Sequence, residues 1–208
     1  MAPSVFLQRA RKDVGALRTY FLPPTFEPTG LYSEPLKVQA HTRAFLVLAH
    51  AEIETYLELW AKELARAAER AWTNSQRISK PLAFLLITTG AKIPAISLIP
   101  KDTPQRLLDE CSALFQRYYK QIKDNHGVKE ANVLSLFGPL GAPASAFGTT
   151  LLPFLESFGE DRGNHAHHAA RAVVNTLDPE TEYNRVLNLL LELELLDEWL
   201  KKCRRGIR

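Results

Sequence analysis

At 208 residues, with 46% apolar and 24% charged residues, the chain has the make-up of one well-packed globular domain with room for an elaborated end. A net charge of +3 is too small to argue nucleic-acid binding from bulk electrostatics, and two distant cysteines, Cys111 and Cys203, exclude a disulfide scaffold and point to a reducing compartment. The N-terminus has no apolar stretch followed by a small-residue cleavage site, and the apolar run 81–100 is interrupted by Gly90, Lys92 and Pro94. The expectation is a cytoplasmic protein that does not enter the membrane. In chain order, residues 4–20 predict a helix with Val5, Ala10, Val14 and Leu17 on one side, followed by a proline-rich arm to about residue 35. From Leu36 to Lys80 there is neither glycine nor proline, and apolar residues recur at spacings of three and four, which predicts one long helix over about 36–72. Trp60 and Trp72 on it are expected in the core or an interface.

A short apolar helix is expected over 81–89, an irregular stretch to Pro104, a helix over about 105–124 and a short one around 129–137. The segment from Thr149 to Leu177 reads as helical, with Pro153 near its start. Gly163 inside it marks either a close backbone approach or a helix that begins near Asp161. Asp178-Pro179-Glu180 is a restart signal: a cap, a proline at the first helical position and acid in the first turn. The final helix is apolar over more than half its circumference. Val186, Leu190, Leu193 and Leu200 share one face, while Leu189, Leu191, Leu195 and Trp199 spread over others. Such a helix is the centre of its bundle or is shared between core and partner. The fold class is all-α, divided into 1–35 (helix and arm), 36–202 (helical domain) and 203–208 (basic tail). The basic residues Arg9, Arg11, Lys12 and Arg18, and those of the closing "WLKKCRRGIR", read as solvated ends in preference to a phosphate-attracting patch.

The chemistry concentrates in "EDRGNHAHHAARAVV". His165 and His168 stand at i,i+3, a spacing that chelates, but no third ligand follows by any motif, and no metal or cofactor is expected. Cutting RNA without a metal needs a base for the 2′-hydroxyl proton, positive charge at the phosphate and an acid for the leaving oxygen. Histidine suits both proton roles, and the permanently charged, forked arginine suits the phosphate. At about 100° per residue, Arg162 and His165 share a face, whereas His167 lies about 140° away from Arg162. Spacing alone therefore favours His165. The competing reading makes one histidine a core or capping residue and leaves the others on the surface.

"FGEDRGNHAHHAA" resembles the arginine–histidine signature of the HEPN superfamily, the helical domains named for higher eukaryote and prokaryote nucleotide binding. It is closest in form to a branch with the pattern Phe-x-x-x-Arg-Gly-x-x-Ala-His, matched by Phe158, Arg162, Gly163, Ala166 and His167. "RAFLVLAHAEIETYLELWA" resembles the long first core helix of that branch, with a His-Ala-Glu element at 50–52. "NHGVKEANVLSLFGPLG" resembles the segment before its motif helix, and "LDPETEYNRVLNLLLELELLDEWL" its closing helix. The resemblance covers about residues 40–200.

It implies a HEPN-like bundle of four to five helices, here with an extra N-terminal helix and proline-rich arm. It also implies a homodimer whose two motifs meet in a cleft at the interface. Many members are metal-independent endoribonucleases, often toxins or bacterial defence effectors paired with an antitoxin or other partner protein; others only bind RNA or scaffold a protein. Carried over, Arg162 contacts the scissile phosphate and His167 is the general base or acid. Asn164, His165, His168, His50 and Glu54 are auxiliary candidates, with Glu52 near the last two, and His50–Glu54 at i,i+4 also fits a structural pair. A third role, nucleotide binding beside a nucleotidyltransferase, finds no tyrosine within the motif, Tyr183 being the nearest.

Overall fold

The computed structural model describes residues 2–88, 103–167 and 176–207, with the side chains of 103–106 and 162–167 excepted. Among these residues are seven α-helices and no strand: α1 (Val5–Phe21), α2 (Pro35–Ser75), α3 (Lys80–Thr88), α4 (Thr103–Lys123), α5 (Glu130–Phe137), α6 (Leu151–His167) and α7 (Pro179–Gly206). Two 3₁₀ turns, Gly138–Leu140 and Ala144–Ala146, lie between α5 and α6. The long helices α2, α4, α6 and α7 form the body of an all-α bundle, with α3 and α5 as short fillers. The expected irregular stretch before Pro104 falls largely outside the described residues, as does the continuation of the motif segment over 168–175.

Local chemistry sets the helix ends. Pro35 occupies the first turn of α2, where its missing N–H costs nothing. The helix stops at Gln76, whose φ of 51° lets its N–H and that of Arg77 reach back to Trp72 and Ala71. Asp178 caps α7 as expected, accepting from the Thr181 backbone N–H at 2.8 Å. No restart occurs at Asp161: α6 runs unbroken through Gly159 and on to His167.

Pairwise contacts give the directions. Phe6 meets Trp60 edge-on at 5.1 Å and Phe21 meets His41, so α1 runs antiparallel to α2. Tyr183 lies against Phe45, and Asp197 takes bonds from Tyr56 and Trp60, so α7 runs parallel to α2. Thr150 bonds Glu192 while Asp161 pairs with Arg185, so α6 is antiparallel to α7 and hence to α2.

The core is continuous across the helices, and both tryptophans expected there, Trp60 and Trp72, are buried. Two expectations are corrected. Val5 is 72% exposed; the buried face of α1 is Leu7, Ala10 and Val14, because at about 100° per residue Val5 lies about 180° around the helix from Val14. The terminal charges are also not simply solvated ends. Arg11 pairs with Glu194, Arg204 Nε donates to Glu63 at 2.6 Å, and Lys201 Nζ donates to the Ala2 carbonyl at 2.5 Å. On α7, Val186, Leu189, Leu190, Leu193, Leu196 and Leu200 are buried, while Leu191 and Leu195 stay 58% and 51% exposed. Among the described residues no helix is long and apolar enough to cross a membrane.

Candidate functional site

The motif residues Arg162 to His167 occupy the last turns of α6. Because the helix is continuous, residue 167 lies about 140° around the axis from residue 162, while residue 165 stands near 162. His168 lies outside the described residues.

What holds this end of α6 in place is well defined. Phe158, one turn before Arg162, is buried with its ring stacked on His50 of α2 at 5.7 Å and 24° between planes. On the other side, the Arg185 guanidinium of α7 lies 5.6 Å from the same ring. Arg185 also donates to the Ser157 hydroxyl at 2.9 Å and pairs with Asp161 at 2.6 Å. This arginine, with a fork that serves a ring, a hydroxyl and a carboxylate at once, clamps α6 to the first turns of α7. It was not among the sequence candidates, although Glu182 and Arg185 at i,i+3 after the Asp178 cap are a legible helix pair.

Glu182 stands beside that clamp, 3.6 Å from Arg185, with Oε2 buried and lacking a hydrogen-bond partner among the described residues. Burial raises its pKa above the ordinary carboxylate value; Arg185 lowers it and Asp161 raises it further.

His50 and Glu54 lie beneath the motif helix. His50 is 2% exposed, with Nδ1 3.7 Å from Glu54. Glu54 accepts from the Gly127 N–H at 2.6 Å, which ties the loop before α5 to α2. Gly127 itself has φ +134°, and Asn125 holds its carbonyl at 3.1 Å. The pair thus sits where the motif helix is supported. Glu52 belongs elsewhere: its pKa is raised by burial and then by Asp13, with Arg9 opposing, which puts it at the α1 side of α2.

α6 is further held by Lys129, which pairs with Glu156 at 3.5 Å and Glu160 at 3.7 Å. A Cβ on Gly159 would stand 2.7 Å from Lys129 Cγ, so the Lys129 side chain packs directly on α6 there; the close backbone approach expected at Gly163 lies outside the described side chains. A second missed residue is Arg43, buried on the face of α2 that also carries His50. An arginine seven residues ahead of His50 in an otherwise apolar stripe was the available signal. Among the described residues no group of three or more histidine, cysteine, aspartate or glutamate side chains is placed to hold a metal ion.

An all-helical bundle in which a motif helix lies antiparallel to the long second helix, with an arginine and histidines on its last turns, is a HEPN-type domain. The chain belongs to the RiboL-PSP-HEPN family, whose model matches residues 25–202. No curated protein and no solved structure matches it. The matched span begins after α1, so the N-terminal helix is an addition that nonetheless packs into the same core.

Proposed function

We propose that the protein is a metal-independent endoribonuclease, acting through Arg162 and His167 in a cleft between two copies of the chain. The observation that carries this reading is the family match over 25–202, within which Arg162 and His167 fall on the last turns of the motif helix. The chemistry follows from the residue types. A histidine takes the 2′-hydroxyl proton, the alkoxide attacks the adjacent phosphorus, and the bond to the 5′-oxygen breaks as that oxygen is protonated. The products are a 2′,3′-cyclic phosphate and a 5′-hydroxyl. Arg162 neutralises the charge that builds on the phosphate oxygens in between.

The 140° separation on one continuous helix favours a site shared by two subunits, in which Arg162 of one copy works with His167 of the other. In a cell such an activity serves as a toxin or defence effector and requires restraint by an antitoxin or partner protein. Purified protein is expected to cut single-stranded RNA in the presence of EDTA, and Arg162→Ala and His167→Ala are each expected to abolish cutting. Cleavage unaffected by either substitution removes the assignment. A glycine directly after the arginine, where the superfamily often has a polar residue, favours one rival: a non-catalytic module that binds RNA or scaffolds a protein. RNA binding without cleavage at any pH between about 5 and 9, the range over which histidine titrates, would select it.

A further inference from the structure

Arg43 lies on α2 two turns before His50, and seven residues return a helix to nearly the same face. At 9% relative exposure it is about nine-tenths buried, and its Nε is sealed from solvent with no hydrogen-bond partner among the described residues. A permanently charged group in this position is unfavourable unless an anion completes it. Its depth along the bundle can be read from its neighbours. His50 is level with Phe158, through their stacked rings, and α6 runs antiparallel to α2. Both helices rise about 1.5 Å per residue. Seven residues back from His50 on α2 therefore correspond to seven residues forward from Phe158 on α6, which is position 165, inside the Arg162–His167 span.

The Gln39 side chain exchanges two hydrogen bonds with the backbone of Leu177, its amide donating to the carbonyl at 2.6 Å and its oxygen accepting from the N–H at 2.8 Å. Gln39 stands one turn before Arg43 on α2.

We infer that Arg43 is a second cation of the RNA site, binding a phosphate oxygen of the substrate backbone next to the scissile phosphate assigned to Arg162. The inference rests on the RNA reading of that site. A guanidinium matches a phosphodiester with two parallel donors, and in a water-poor setting the attraction is stronger than on the surface. The folded chain would then keep Arg43 at a cost in stability that bound RNA offsets.

The test compares full-length wild type with Arg43→Met, Arg43→Lys and Arg162→Ala. A short fluorescent single-stranded RNA serves as probe in EDTA, with binding measured across a salt series and thermal melting followed alongside. Arg43→Met is expected to bind RNA about tenfold more weakly and to lower the slope of log K against log salt by about 0.7, one phosphate contact on a single strand. Its melting temperature should be unchanged or higher, since an unpartnered buried charge has been removed. Arg43→Lys should keep the wild-type slope and bind several-fold more weakly, having charge without the fork.

Wild-type binding in either variant overturns the inference, as does an Arg43→Met that melts earlier, which makes the guanidinium a structural prop. The two readings separate cleanly. If Arg162→Ala abolishes cleavage while both Arg43 variants behave as wild type, the nuclease reading stands and Arg43 falls. If Arg162→Ala changes neither binding nor cleavage while Arg43→Met loses affinity, Arg43 stands as an RNA contact, but its place beside Arg162 and the catalytic assignment both fall. A wild-type protein with no measurable RNA affinity removes both.

Discussion

Asp197 collects donors from three directions. Its Oδ2 accepts the Ser4 backbone N–H at 2.8 Å, and its Oδ1 accepts the Ser4 hydroxyl at 2.5 Å, the Trp60 indole at 3.0 Å and the Tyr56 hydroxyl at 3.1 Å. It is 1% exposed, and Lys201 lies 3.7 Å away. The same Ser4 oxygen accepts from the Leu7 N–H, so one carboxylate fixes the cap of α1 to both α2 and α7. Asp197→Ala strands these buried donors and is expected to cost about 3 kcal/mol, read as a lower urea midpoint at unchanged slope; a loss below about 1 kcal/mol would show that water replaces the carboxylate. Glu182 supplies a test of opposite sign. Its folded pKa is raised, so the folded state favours the protonated form, and its contribution is present below about pH 4.5. That contribution is lost as pH rises from there through the folded pKa. Stability of wild type minus that of Glu182→Gln should therefore fall between pH 4 and neutrality; a difference that is flat or rises with pH contradicts the burial effect.

Among the elements, the 3₁₀ turn after α5 shows how little freedom the bundle leaves its connections. Gly141 closes it with φ +82°, its N–H bonded to the Gly138 carbonyl at 2.9 Å, and a Cβ there would stand 2.5 Å from the Phe84 ring of α3. Strain and clash act together, so Gly141→Ala is expected to cost about 2 kcal/mol or more, measurable as a lower melting temperature. The helix α1 lies outside the matched family span, yet it buries Leu7, Ala10 and Val14 and covers Trp60 with Phe6. Removing it exposes this apolar surface and the Asp197 network together. A chain beginning after the arm is expected to aggregate or to melt well below the full-length protein, judged by light scattering and thermal melting.

For the whole molecule, the sharing of a site between subunits has its own test. Arg162→Ala and His167→Ala are each inactive alone under the proposed reading. If Arg162 of one copy works with His167 of the other, a mixed dimer has one site with both residues altered and one with both intact. Mixing the two variants after co-refolding should restore cleavage, up to about half the wild-type level in the mixed dimers. A site built within one subunit gives no restoration, because each subunit then lacks one residue. Sedimentation of the mixture at the mass of one chain would remove the shared cleft altogether.

From one-dimensional pattern alone came the helices with strong local signals: the uninterrupted 36–72 run, the Asp178-Pro179 restart and the apolar final helix. The Arg162–His167 segment was legible for a different reason, since its residue types and order resemble a known signature. What only the tertiary structure decided is which residues surround it. Grouping Val5 with Ala10 and Val14 misreads the helical period, because Val5 lies about 180° from Val14, and the structure buries Leu7, Ala10 and Val14 instead. Arg185 carries no motif, and its clamp on α6 depends on contacts between helices far apart in sequence; the burial of Arg43 is likewise visible only in the folded chain. Local sequence determines where helices start and stop because caps, prolines and side-chain entropy act within a few residues. The company of a buried charge is decided by packing, which brings Phe158, His50 and Arg185 together from three helices.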